Sequence, residues 1–219
     1  MKGLRWLIIG LLLSGGLLTG QGLMIEAKAW LAQGLIARAW VRTLAGERQV
    51  VPWPWADTWP VARIGFPGHD LSLLVLKGDQ GNSLAFGPGW SEVTARPGEA
   101  GLSVISGHRD THFRVLKDLQ PGEIVTLQTI EGVMFFYRVM ETAVVDESLG
   151  LQWPLDALAA GDGALLLITC YPFDGWVPGG PLRYLVRAER LNRPVVGRSA
   201  DKPDAAFMPP RRGSLQELM

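Results

Sequence analysis

Apolar positions divide the chain into stretches of different character. Lys2 and Arg5 flank the start of twenty residues without a charge, Trp6 to Ile25, enough to cross a hydrocarbon core of about 30 Å as a helix. From Glu26 to Leu44 the residues Ala27, Trp30, Leu31, Leu35, Ala39, Val41 and Leu44 recur at loosely helical spacing, which predicts that a helix continues out of the first run. Beyond Val61 the pattern changes to short apolar runs separated by turn residues, as at Gly65 to Gly68, Gly78 to Gly81, Gly87 to Gly89 and Pro121-Gly122. Such runs predict strands at Ala62 to Ile64, Leu71 to Leu76, Leu102 to Ser106, Ile124 to Gln128, Met134 to Val145, Ala164 to Cys170 and Leu182 to Leu191. Their spacing predicts a mainly β fold, a closed antiparallel barrel, with short helices at Thr111 to Asp118 and Leu155 to Ala160.

The division that follows is 1–25 as a membrane anchor, 26–60 as a helical stalk and linker, 61–192 as the barrel domain and 193–219 as a flexible tail. The linker ends in VVPWPWADTWP, Val50 to Pro60, whose prolines forbid a regular helix. Its tryptophans suit either a membrane surface or an arm packed across the domain, and the packed arm is the simpler reading. The tail carries four prolines and scattered charges, a composition that does not build a core.

Charge and cysteine usage narrow the function. The chain has 21 basic and 21 acidic residues, net zero, which argues against a nucleic-acid partner. Basic residues before an uncharged run at the N-terminus form an export signal. The run exceeds the usual signal-peptide core of about 7 to 15 residues, so an uncleaved anchor is preferred to cleavage near Ala27-Lys28-Ala29. Outside the cytoplasm thiols tend to pair, and Cys170 has no second cysteine to pair with. A lone exported thiol invites a chemical role.

Cys170 ends the apolar run Leu165-Leu166-Leu167-Ile168-Thr169, and a turn-rich loop leads to a second run carrying Arg183 and Arg187. Sixty residues earlier, Ser106-Gly107-His108-Arg109-Asp110-Thr111-His112 follows another strand-like run and holds two of the three histidines. A thiol nucleophile, an imidazole to carry protons and a guanidinium to stabilise an oxyanion are the parts of a cysteine acyl-transfer enzyme. His112, four residues after His108, reads as support for the site, and Asp110 as an orienting group or a turn cap. Arg109 is a weak candidate for the cation or a solvated loop residue, Arg187 reads as a surface or barrel-end ion pair and His69 as a loop residue. Trp176 and Phe173, in the loop after the cysteine, could accept an apolar peptide.

The motifs GHR after a strand, an apolar run ending Thr169-Cys170, and Arg183-Tyr184-Leu185-Val186-Arg187 together resemble the sortases, the cell-surface transpeptidases. The likeness covers roughly residues 60 to 192, and the longer SGHRDTHFRVL is most similar to proteobacterial sortases. The resemblance implies a closed eight-stranded β-barrel with Cys170 as nucleophile, His108 as general acid and base, and Arg183 as the oxyanion-binding residue. Thr169 joins Trp176 and Phe173 as an expected substrate-binding residue. The family pattern has a threonine where this chain has Leu166. The implied reaction cleaves a Leu-Pro-x-Thr-Gly-like C-terminal sorting signal between Thr and Gly through a thioester and passes the acyl group to an amine. No cofactor or metal is implied. The expected partners are a protein bearing that signal, an amine acceptor and the membrane, with the enzyme in the inner membrane facing the periplasm or cell exterior. Alternatives are a cysteine peptidase using water, a zinc site built from His108, His112, His69 and Cys170, and a non-catalytic surface module.

Overall fold

The computed structural model describes residues 2–149, 163–175 and 179–191. Helix α1, Lys2–Leu44, is followed by strands β1 (Pro60–Phe66) and β2 (Leu71–Lys77), helix α2 (Asn82–Phe86), and strands β3 (Gly89–Trp90), β4 (Leu102–Ser106) and β5 (Ile124–Thr129). Strands β6 (Met134–Asp146), β7 (Ala164–Cys170) and β8 (Leu182–Arg190) complete the series. The eight strands close a barrel in the order β1-β2-β3-β4-β7-β8-β6-β5, as the strand spacing and the family resemblance led us to expect.

The expectation of a wholly antiparallel barrel is corrected at two places. Strands β2 and β3 pair in parallel, as do β4 and β7. The first pairing escaped the sequence because β3 is two residues long and lies in a glycine-proline run that reads as a turn. Gly89 is needed there, since a Cβ would lie 2.1 Å from the carbonyl oxygen of Gly78. Short α2 was not foreseen either. The helix expected over Thr111 to Asp118 is only a 3-10 turn, Arg114–Lys117. The helix at Leu155 to Ala160 and the tail over 193–219 lie outside the described residues.

Alternation along each strand sends one set of side chains into the barrel. Ile64, Phe66, Val75, Ile105, Leu127, Tyr137, Leu165, Leu167 and Val186 form the main core, joined by Phe113, Leu116 and Leu119 from the segment after β4. A second cluster, Leu102, Ala164, Leu166 and Leu185, occupies the outer side of β4, β7 and β8. Because β7 is apolar on both sides, it reads as a continuous apolar run rather than an alternating one.

The stalk and the Trp/Pro segment pack on this barrel. Ala32, Ile36, Ala39, Trp40 and Thr43 form a buried face of α1, at the three-and-four spacing of one helix stripe. The guanidinium of Arg63 stands 5.9 Å from the Trp40 ring, and Gln33 Nε2 donates to the Phe86 carbonyl at 2.6 Å. Trp53 meets Phe86 edge-on at 5.0 Å, and Lys77 lies over Trp59 at 4.7 Å. Among the described residues no helix is long and apolar enough to cross a membrane. The anchor expected over Trp6 to Ile25 is therefore not found in the structure, where several side chains of that stretch lie outside those described.

Candidate active site

The parallel pairing of β4 with β7 positions the site. Strands running the same way bring their C-terminal ends to the same rim, so the residues after Ser106 and the end of β7 emerge together. Ser106 is paired with Ile168, and the amide of Gly107 extends the ladder by donating to the Ile168 carbonyl at 3.0 Å. His108 thus leaves the barrel beside Cys170, the last residue of β7. Strand β8 runs antiparallel to β7 and starts at the same rim, with Arg183 directly opposite Cys170. Facing residues of an antiparallel pair project to the same side, with Cβ atoms roughly 5 Å apart. The thiol and the guanidinium therefore begin as cross-strand neighbours. Arg187, by the same alternation, lies on that side but further along, and its guanidinium pairs with Glu141 at 2.6 Å and with Glu189.

Packing fixes the three stems. Phe113 is fully buried and its amide donates to the His108 carbonyl at 3.0 Å, which folds the post-β4 segment back into the barrel mouth. Residue 107 must be glycine for this, because a Cβ would approach the Phe113 ring to 2.8 Å. Thr169, expected in the substrate groove, is instead 2% exposed. Its hydroxyl donates to the Gly107 carbonyl at 2.7 Å, so it ties β7 to the histidine segment. Phe173 is half-buried against the core and meets Tyr184 edge-on at 5.1 Å, while Tyr171 stacks on Tyr184. The expected substrate contact Trp176 lies outside the described residues. Arg109 departs furthest from its reading as solvated: it is 8% exposed, with Nη1 donating to the Pro172 carbonyl at 2.7 Å and Nη2 to the Gly175 carbonyl at 2.6 Å. Asp110 is exposed and lies 3.4 Å from Arg109 Nε, so the group it supports is that arginine.

The sequence model of the sortase domain matches residues 64–191, more than half of the chain and inclusive of Cys170, His108 and Arg183. The chain belongs to the sortase family. Sortase D of Bacillus subtilis (strain 168) is 32% identical over 125 residues, covering 57% of this chain and 61% of that protein. Among solved structures, sortase A of Corynebacterium diphtheriae is 26% identical with a TM-score of 0.53, covering 68% of both chains. Sortase C-1 of Actinomyces oris is 29% identical with a TM-score of 0.51, covering 61% of this chain and 74% of that one.

The three histidines of this sortase differ in surroundings. His69 Nε2 lies 2.9 Å from Glu123, while His108 is exposed and His112 half-buried. The zinc set of the alternative reading is not assembled, since among the described residues no three His, Cys, Asp or Glu side chains converge. Burial, with neighbouring His108 as a lesser cause, lowers the pKa of His112 to about 4. In the unfolded chain an imidazole titrates near 6.5, so between about pH 6.5 and 4 the unfolded state binds a proton that the folded state refuses. Stability is therefore retained above about 6.5 and falls as pH drops toward 4, with a slope of at most about 1.4 kcal/mol per pH unit. Urea unfolding of the wild type and of His112→Asn at pH 7 and pH 5 is expected to show the larger acid loss in the wild type. Equal losses would contradict a buried neutral imidazole.

Arg183 is held at the rim by partners that sequence reading did not identify. Nη1 donates to the carbonyls of Gly180 at 2.7 Å and Leu182 at 3.1 Å, and Nη2 pairs with the Glu147 carboxylate just beyond β6. Glu147 carries no motif, and only the β6–β8 register brings it close: Asp146 faces Leu182. Exposed ion pairs contribute about 0 to 1 kcal/mol. Glu147→Gln is accordingly expected to change the kcat/KM of peptide acylation by less than about fivefold, measured at 0.15 M salt. A hundredfold change would make the carboxylate part of the reaction machinery.

Proposed function

We propose that this sortase is a cysteine transpeptidase acting on a protein with a Leu-Pro-x-Thr-Gly-like C-terminal sorting signal. The observation that carries the reading is the register of one rim, where Cys170 faces Arg183 and the parallel neighbour strand delivers His108. The Cys170 thiolate adds to the Thr carbonyl carbon, and the negative charge on the carbonyl oxygen is met by Arg183. The C–N bond to Gly then breaks as His108 gives a proton to the departing amine, leaving a thioester. An acceptor amine loses a proton to His108, attacks the thioester and releases the thiolate with a new amide bond. A group that gives and takes a proton in this cycle must change charge near neutral pH. Burial denies that role to His112, and His69 is paired with Glu123.

In this reading the segment after Cys170 forms one wall of the peptide groove, with Phe173 against the apolar residues of the signal. We infer a membrane location from Lys2 and Arg5 around the uncharged run and from the exposed Leu4, Trp6, Leu11, Leu13 and Met24 on α1. The likeness of SGHRDTHFRVL to proteobacterial sortases supports an inner-membrane site with the barrel facing the periplasm. Mass spectrometry of the purified chain with sorting peptides is the test, run with and without an added amine. A Cys170 adduct resolved to an amide supports transpeptidation, whereas hydrolysis at the same rate with amine present supports a cysteine peptidase. No adduct with any sorting peptide overturns both.

A further inference from the structure

We propose that Arg109 is a positioning residue, a strut that fixes the imidazole-bearing segment after β4 against the thiol-bearing loop after β7. It rests on the transpeptidase reading for its consequence in rate, though not for its geometry. Arg109 follows His108 directly, and the two carbonyls it holds belong to Pro172 and Gly175, two and five residues beyond Cys170. Those carbonyls bracket one tight turn, closed by the Gly175 amide donating to the Pro172 carbonyl at 3.3 Å. One guanidinium therefore binds both ends of the turn, in the forked geometry that arginine supplies and lysine does not.

The surroundings are built for this contact. A Cβ on Gly175 would lie 3.1 Å from Nη1, closer than side chains ordinarily pack, so the bare glycine admits the guanidinium. A buried cation is costly unless its donors are satisfied, and here two carbonyls take Nη1 and Nη2 while Asp110 faces Nε. A cleft of about 200 Å³ between the two segments is lined by Arg109, Asp110, Arg114, Lys117, Phe173 and Asp174. The Gly107 amide on the Ile168 carbonyl and the Thr169 hydroxyl on the Gly107 carbonyl join the two strands behind the rim, and the Arg109 fork joins the segments that follow them. Chemistry that passes a proton between a His108 nitrogen and the amine on the substrate carbonyl held by the Cys170 sulfur depends on this separation. A misplacement of about 1 Å can cost on the order of a hundredfold in rate.

The test combines hydrogen exchange with acyl-transfer kinetics on the purified chain and its Arg109→Ala, Arg109→Lys and Gly175→Ala variants. In Arg109→Ala, exchange is expected to quicken together at residues 107–113 and 171–175 and to stay unchanged in β5 and β6. The kcat is expected to fall about 10- to 100-fold, with KM for the sorting peptide within threefold of wild type. Arg109→Lys should match Arg109→Ala within threefold. Gly175→Ala keeps the arginine but crowds its fork, with Pro172 Cγ and O also 3.2 and 3.3 Å from the new Cβ, so its defect should be largely, though not wholly, lost when added to Arg109→Ala. Loosening of one segment alone, loosening of the whole barrel, or additive defects would overturn the strut. If the wild type forms no Cys170 adduct while the two segments still loosen together, the strut stands and the transpeptidase reading falls.

Discussion

Replacing Cys170 by alanine is expected to abolish both the covalent peptide adduct and amide formation, a loss of at least about 10⁴-fold in kcat. The reason is chemical rather than structural. The side chain ends β7 at a half-buried rim position, so truncating it removes little packing, and the unfolding free energy should move by less than about 1 kcal/mol. Cys170→Ser separates nucleophilicity from shape: it preserves size and hydrogen bonding, but an alcohol does not ionise near neutral pH, and it should be nearly as inactive. The readout is intact-mass analysis of chain incubated with sorting peptide, alongside amine-dependent product formation. A Cys170→Ala protein that still joined peptide to amine would show that another group supplies the nucleophile.

Arg183→Ala should slow acylation by about 10² to 10³-fold, the range seen when one donor to a developing oxyanion is removed. The guanidinium starts from a backbone position directly opposite the nucleophile, and the charge it meets exists only once the thiolate has added. Its loss should therefore lower kcat and kcat/KM by similar factors, leaving KM little changed. Arg183→Lys retains the charge and loses the fork, so it should recover part of the rate. Single-turnover acylation at saturating peptide measures this directly. A pure KM effect would reassign Arg183 to ground-state peptide binding. In Arg183→Ala the freed Glu147 carboxylate is exposed to water, so stability should change by less than about 1 kcal/mol.

What could be read in advance, and what could not, follows from the range of each interaction. Strands β4 and β7 were legible to the residue because apolar runs end where glycine or proline follows: Ser106-Gly107, and Cys170 before Tyr171-Pro172. Their parallel pairing was not legible, since nothing within either run records the direction of its neighbour. Cys170, His108 and Arg183 could be nominated from residue chemistry and the motifs around them. Glu147 could not, because it reaches Arg183 only through the register of β6 with β8. Arg109 shows how adjacency misleads: a charged residue beside a loop histidine reads as solvated, yet its fork finds carbonyls 63 and 66 residues away. Thr169 shows the converse, as alternation along β7 sends it inward, away from the face shared by its two neighbours.

The crossover between β4 and β7 also bears on when the protein can first act. Ser106 and Ala164 are separated by β5 and β6, and the barrel is closed only when β1, formed early in the sequence, meets β5. A chain emerging from the ribosome presents its imidazole well before its thiol, and pairings of such high contact order form late. The nascent enzyme is thus chemically silent until its C-terminal third has emerged and folded, which spares passing substrates from a half-built nucleophile.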